Sequence, residues 1–242
     1  MTESAEANKD QNPLTKPKFI ISAVVVAILV ALAIILPLLP KGEGAASPAP
    51  TMAATSTATA TVESGSAASI CGLPTGPQSK LATAPTDTKW ELVGKVAAPT
   101  SPREFGPGKV AANGLRSCFS HSPTGALYAA VNLTALSGSG KAGLVYKYLS
   151  VPGPQRDKML NESPAASDGS VTAQLAGFMV RSYDSDQTVV DLAFKADNGT
   201  YVSIPVPLQW SGGDWKFIIP ATGDTGSQQI SDLSGYIEWG AF

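Results

Sequence analysis

The feature that most constrains this chain is the stretch Phe19 to Leu39, FIISAVVVAILVALAIILPLL, which has no charge and a single hydroxyl. About 21 residues at roughly 1.5 Å each cover a hydrocarbon core of about 30 Å, so residues 19–39 read as one transmembrane helix. Lys9, Lys16 and Lys18 precede it and only Lys41 follows closely. That bias places a cytoplasmic tail, residues 1–18, inside and everything beyond Lys41 outside. The expected localisation is the cell membrane, single-pass, with the amino end cytoplasmic and the carboxyl domain extracytoplasmic. A cleaved signal peptide is the competing reading, with Ala45-Ala46-Ser47 as small residues for a peptidase. The apolar run exceeds the roughly 7 to 15 residues of such segments, which favours an uncleaved anchor. Ala23, Ala27 and Ala31 recur every fourth residue, a small-residue stripe through which two such helices can approach closely and self-associate. Alanine is also simply common in these helices.

Residues 40–70 form an Ala/Ser/Thr/Pro-rich linker without periodicity and nearly without large apolar side chains. Such a segment cannot offset its ordering entropy by burial. As a flexible coil of about 30 residues it spans on the order of 30 Å, which stands the domain off the bilayer. Charged residues make up 15% of the 242-residue chain, against about 25% in ordinary soluble domains, because the anchor and the linker dilute them. A net charge of -2 argues against direct nucleic-acid binding, which needs clustered Lys and Arg.

The remaining segment, 71–242, reads as one extracytoplasmic α+β domain. Its two cysteines, Cys71 and Cys118, lie on the expected outer side, where disulfides persist, and are expected to pair rather than remain buried thiols. Lys89 to Ala97 alternates and reads as a short leading strand. After Cys118, Ser122 can cap a helix and Pro123 can take its first position, with Leu127, Ala130, Val131 and Thr134 along one face. A second helix is expected over Lys141 to Leu149, ending before Pro152-Gly153-Pro154, with a further turn or two over Gln155 to Asn161. From Gln174 the period becomes two, and four strands are expected, separated by Asp184-Ser185-Asp186, Asn198-Gly199 and Gly212-Gly213-Asp214. Helices followed by an antiparallel meander predict helices packed on a curved antiparallel sheet. Pro205 and Pro207 conflict with a central third strand, because both missing N–H donors face the same neighbour.

No reactive constellation stands out. His121, the one histidine, is flanked by Ser120 and Ser122, but nothing resembles a nucleophile elbow, and a turn role beside the helix start is expected. The common zinc ligand sets are missing, so neither a metal nor a cofactor is expected. Asp184, Asp186 and Asp197 fall in turn sequences, where acidic residues serve the local backbone; calcium is the weaker reading. Asp191 lies on the strand face opposite Val190 and Leu192. Trp210, Trp215 and Trp239 read as packing residues.

The segments CGLP at Cys71 to Pro74, KWELVG at Lys89 to Gly94, CFSHSPTGALYAA at Cys118 to Ala130 and GDWKFIIP at Gly213 to Pro220 resemble an uncharacterised actinobacterial membrane-anchored family. The layout of anchor, spacer and outer domain is similar to the bitopic scaffold proteins of conjugation and type IV secretion machines. That likeness implies a cone-shaped fold of the nuclear transport factor 2-like or cystatin-like kind. It also implies a non-enzymatic cell-envelope scaffold, with the membrane, other envelope or conjugation proteins and a second copy of itself as partners. A binding module holding a small molecule, lipid or peptide in the cone is the alternative.

Overall fold

The computed structural model describes residues 68–162 and 172–241. The expected transmembrane helix, the stripe of Ala23, Ala27 and Ala31, and linker residues 40–67 lie outside the described residues. Among the described residues no helix is long and apolar enough to cross a membrane.

The domain is α+β with antiparallel sheets. Two strands, β1 (Lys89–Val93) and β2 (Val96–Thr100), form a hairpin, and β3 (Lys109–Val110) and β4 (Arg116–Ser117) form a second. Three helices follow, α1 (Pro123–Leu136), α2 (Ala142–Tyr148) and α3 (Pro154–Asn161), with a wider π-helical turn over Ser137–Lys141 between the first two. The main sheet comprises β5 (Ala173–Tyr183), β6 (Gln187–Ala196), β7 (Tyr201–Ser211), β8 (Asp214–Phe217), β9 (Gln228–Ile230) and β10 (Ile237–Glu238). Its order is β10-β5-β6-β7-β8, with β9 pairing the far end of β7. The four-strand meander is therefore present as expected, extended by two short carboxyl-terminal strands.

Helix α1 begins as its sequence dictates. Ser122 is the cap, its Oγ accepting from Gly125 N at 3.0 Å, and Pro123 occupies the first turn, where no N–H is needed. The helix is buried on nearly every side and not only along Leu127, Ala130 and Val131: Tyr128, Ala129, Asn132, Leu133, Ala135 and Leu136 are buried too. One side meets β6, β7 and β8 while others meet β1, β2 and β4, so the hairpins cover the helix that covers the sheet. A helix enclosed this way has no polar stripe to show in its sequence. Small residues make the close approach practicable. Gly125 serves the helix start itself, because a Cβ there would lie 2.1 Å from Ser120 O in the segment that enters α1.

The inner face of the sheet is built in cross-strand rows, Phe178–Leu192–Ile204 and Val180–Val190–Val206, continued by Thr188–Leu208. Apart from the half-buried Ile204, these side chains are buried, each large apolar one contributing roughly 1.5–3 kcal/mol. Register shifts between Leu175 and Gly177 and between Val180 and Ser182 place bulges at Ala176 and Arg181 in β5.

Lys89 to Ala97 is not a single strand. The chain reverses at Gly94-Lys95, so Trp90 turns toward Trp239, at 4.8 Å between ring centroids, while Leu92 faces solvent. Alternation alone could not reveal the reversal, since the turn falls where the pattern expects another apolar-face residue. The two prolines of β7 also find their explanation. Pro207 O accepts from Ile218 N, so the Pro207 ring nitrogen points toward the β8 side, and Pro205, two residues earlier, shares that direction. On that side β9 pairs only 201–203 and β8 only 208–211, which leaves 204–207 without a ladder. A central strand thus contains a local edge where its prolines sit.

Two outcomes test this packing in thermal or urea unfolding of the purified chain. Gly125→Ala is expected to destabilise the domain by about 3 kcal/mol or more, because the clash is with backbone rather than a movable side-chain end. Opening the disulfide that joins Cys71 to Cys118, 47 residues apart in sequence, is expected to cost on the order of 4 kcal/mol on the chain-entropy account.

Candidate functional site

The segments singled out in the sequence meet in space around Cys118. The structure joins Cys71 and Cys118 in a disulfide, and Ser69 Oγ lies 3.2 Å from the Cys118 sulfur. Cys118 takes a positive φ of 71°, which a side chain-bearing residue holds only when its surroundings fix it. The fixing group is Asp214 in β8, itself buried. Its Oδ2 accepts from Cys118 N at 2.7 Å, and its Oδ1 accepts from Phe119 N at 2.9 Å and Trp215 N at 3.0 Å. Next along the strand, Trp215 Nε1 donates to Ser120 O at 3.0 Å. Ile70 N donates to Gly213 O at 2.8 Å, so the amino-terminal end of the described domain is tied to the same turn. Burial pushes the Asp214 carboxyl above its ordinary range, with the amides of Cys118, Phe119 and Trp215 and the charge of Lys216 opposing that rise.

His121 is enclosed beside this clasp. Its ring stacks on Trp210 at 4.0 Å with 5° between planes and meets the edge of Trp215 at 5.7 Å. Its Nε2 lies within hydrogen-bond distance of Ser185 O in the β5–β6 turn, and its carbonyl accepts from Gln78 Nε2 at 2.7 Å. The Ser120 and Ser122 hydroxyls lie 2.7 Å from one another, with Ser122 also capping α1. Nε2 thus addresses a carbonyl rather than a hydroxyl, and the flanking serines organise the helix start. Among the described residues, Trp210 Nε1 is the buried side-chain polar atom without a hydrogen-bond partner.

Two further polar centres were missed by sequence reasoning. Asn132, in the middle of α1, accepts from Arg116 Nε at 2.6 Å and donates to Pro99 O at 3.0 Å and Tyr128 O at 2.8 Å; Arg116 also pairs with Glu91 at 2.8 Å. An asparagine inside an otherwise apolar helix was the available signal. On the outer sheet face, Asp191 is fully buried and accepts from Arg181 Nε at 2.8 Å and from its Nη2, from Ser203 Oγ at 2.7 Å and from Tyr236 Oη at 3.0 Å. Alternation placed Asp191 on that face correctly; its partners are remote in sequence. The hydrogen bond to Asp191 raises the Arg181 pKa further, and burial raises that of the Tyr236 phenol.

Three clefts among the described residues lie at the margins of the core. One of about 160 Å³ is apolar and opens where β7 lacks a neighbour, between Leu133, Val145, Ile204, Val206 and Phe217. A second, about 260 Å³, separates the two hairpins, and a third of about 540 Å³ is polar, with Asp87, Lys89, Arg103 and Glu104 on its walls. Neither Asp191 nor Asp214 lines any of the three. Among the described residues no three His, Cys, Asp or Glu side chains are grouped to hold a metal ion. Asp184 accepts from the amides of Asp186 and Gln187 and closes its own turn.

Asp214→Asn puts an amide donor against backbone donors and is expected to cost about 2–4 kcal/mol in denaturant unfolding. A carboxyl whose folded-state pKa is raised adds stability that is fully present below its unfolded value and lost as pH rises through the folded one. The gap in stability between wild type and Asp214→Asn should therefore widen as pH falls from neutral to below the carboxylate range; a gap that narrows would show that the amides hold the carboxyl low. Against known proteins, no curated protein and no solved structure matches the chain. A family model described as "Domain of unknown function (DUF8175)" matches residues 50–238, most of the chain and all of the Cys118 clasp. The chain belongs to the family of the domain of unknown function DUF8175.

Proposed function

We propose that this protein is a non-enzymatic, membrane-anchored scaffold of the cell envelope, whose outer domain docks other proteins in an apparatus of the conjugation or type IV secretion kind. The observation that carries this reading is the filled interior. Where α1 faces the sheet, Tyr128, Phe178, Trp215 and Trp239 occupy the space, all of them buried. The sheet bulges at Ala176 and Arg181 support the finer fold reading, a nuclear transport factor 2-like or cystatin-like cone. Both buried carboxylates are saturated by donors and line none of the three clefts described above, which favours a structural role for each. The uncleaved anchor at 19–39, the outer placement of the domain and pairing through Ala23, Ala27 and Ala31 belong to the same proposal. A binding module is the second reading, favoured by the apolar cleft under β7. At about 160 Å³ that cleft falls short of the roughly 300–1,000 Å³ typical of small-molecule sites.

The test is purification of the tagged full-length chain from mildly cross-linked membranes of its host, followed by mass spectrometry. Coupling or secretion ATPases and other envelope subunits are expected among the recovered proteins. Return of the chain alone, or of the chain with a bound small molecule, would remove the scaffold reading and move attention to the cleft.

A further inference from the structure

We infer that two copies of this domain pair by exchanging an aromatic side chain: Tyr148 of each copy enters the apolar cleft beside β7 of the other and donates its phenol hydrogen to Pro205 O. The contact adds a self-association of the outer domain to the scaffold reading and does not depend on the apparatus which that reading names. The cleft walls come from Leu133 of α1, Val145 of α2, Ile204 and Val206 of β7 and Phe217 of β8. Its volume of about 160 Å³ is close to the roughly 150 Å³ of an apolar cavity that holds benzene. That is room for one aromatic side chain rather than for a whole ligand.

One wall of the cleft carries an acceptor. Pro207 O accepts from Ile218 N at 2.9 Å, and the two-residue period of a strand turns Pro205 O to the same side of β7. There β9 pairs only 201–203 and β8 only 208–211, so among the described residues no donor reaches Pro205 O, although Pro205 is buried and lines the cleft. A buried carbonyl left unpaired is costly, and a donor arriving from outside removes that cost. The prolines supply no N–H on this side, so an added strand could not form a ladder. A ring tipped with a hydroxyl meets both requirements, filling the hollow and donating to the carbonyl.

Tyr148 is the occupant that the same surface offers. Among the described residues it is the aromatic side chain that stands exposed, at 46%, and its hydroxyl makes no hydrogen bond. Lys147 Nζ lies 5.2 Å from the centroid of its ring, and the ring does not line its own cleft. Tyr148 follows Val145 by three residues on α2, a spacing that puts both on one side of the helix, so it emerges beside the mouth that Val145 and Tyr146 help to form. A donor and its socket on one face make that face self-complementary, the condition for a closed two-fold pair in which each copy gives and receives the same contact.

A short diazirine-bearing amino acid in place of Thr225, on the cleft wall, tests the exchange in full-length chains, isotopically light and heavy, expressed together in host membranes. The expected product joins position 225 of one label to the Tyr148 peptide of the other. Tyr148→Phe should lower its yield about fivefold, as loss of one hydrogen bond requires, and Tyr148→Ala should abolish it; the side chain is exposed, so neither change threatens the fold. Ile204→Phe, which fills the socket, should abolish it with Tyr148 intact and circular dichroism unchanged. Mixing a diazirine-bearing Tyr148→Ala chain with an Ile204→Phe chain should restore the product, since that pair retains one tyrosine and one open socket. Cross-links confined to a single label, cross-links into lipid or another protein only, or a mixed-label yield indifferent to Tyr148→Ala would overturn the proposal. Envelope proteins recovered with the tagged chain but no mixed-label product would sink the exchange and leave the scaffold reading standing. A mixed-label product without any envelope protein would do the reverse.

Discussion

The fold depends on one buried carboxylate. Asp214 reaches from the start of β8 to the amides of Cys118 and Phe119, and so joins the short last strand of the meander to the segment that enters α1. Those two amides have no ladder or helix partner of their own at that point, and a buried carboxylate without donors would cost several kcal/mol. Each side therefore satisfies what the other would leave open. The consequence is a fixed entry angle for α1, reinforced by Trp215 Nε1 on Ser120 O and by the disulfide to Cys71.

From that entry point the core follows. With Ser120 O against Gly125, the entering segment folds tightly onto the first turn of α1; further along the helix buried alanines suffice at several contact positions, and Leu127, Val131, Phe178 and Leu192 fill the remainder. The hairpins then close over the other side of α1. Asn132 supplies their polar anchor, linking Pro99 in β2 and Arg116 in β4 to the helix. Asp191 performs a comparable task on the outer sheet face, where Ser203 and Tyr236 bring β7 and the carboxyl-terminal segment onto β6. Burying a carboxylate in this way is weak evidence for added stability, since a well-packed apolar pair can do as well, but it does specify which segments meet. The motif residues that look chemically suggestive, Cys118, Ser120, His121 and Ser122 together with Asp214 and Trp215, are accounted for by this architecture.

Much of the fold was legible because its signals are local. Ser122-Pro123 sets the start of α1 through one hydroxyl and one missing donor; Asn198-Gly199 and Gly212-Gly213 reverse the strands; alternation from Gln174 onward assigns Phe178, Val180, Val190 and Leu192 to the inner face. Where the reading of residues fell short, the deciding partner was distant. The Gly94-Lys95 reversal depends on α1 and Trp239 receiving Trp90, and the all-round burial of α1 depends on hairpins that its own periodicity cannot reveal. Pro205 and Pro207 looked incompatible with a central strand. They fit because β9 and β8 each cover only one end of β7.

The sequence by itself determined the class of domain, the order of its helices and meander, the pairing partners available to its two cysteines, and the expectation of an apolar anchor ahead of them. These follow from short-range stereochemistry, periodicity and composition, which a single chain displays directly. Only the tertiary structure decided what the polar residues are for. Asp214, Asp191 and Asn132 find amides, a guanidinium and hydroxyls from other elements of the domain, and hydrogen-bond saturation is a property of the enclosure rather than of any residue in it. The cleft that gathers Leu133, Val145, Ile204 and Phe217 is of the same kind, since two helices and two strands must arrive before it exists.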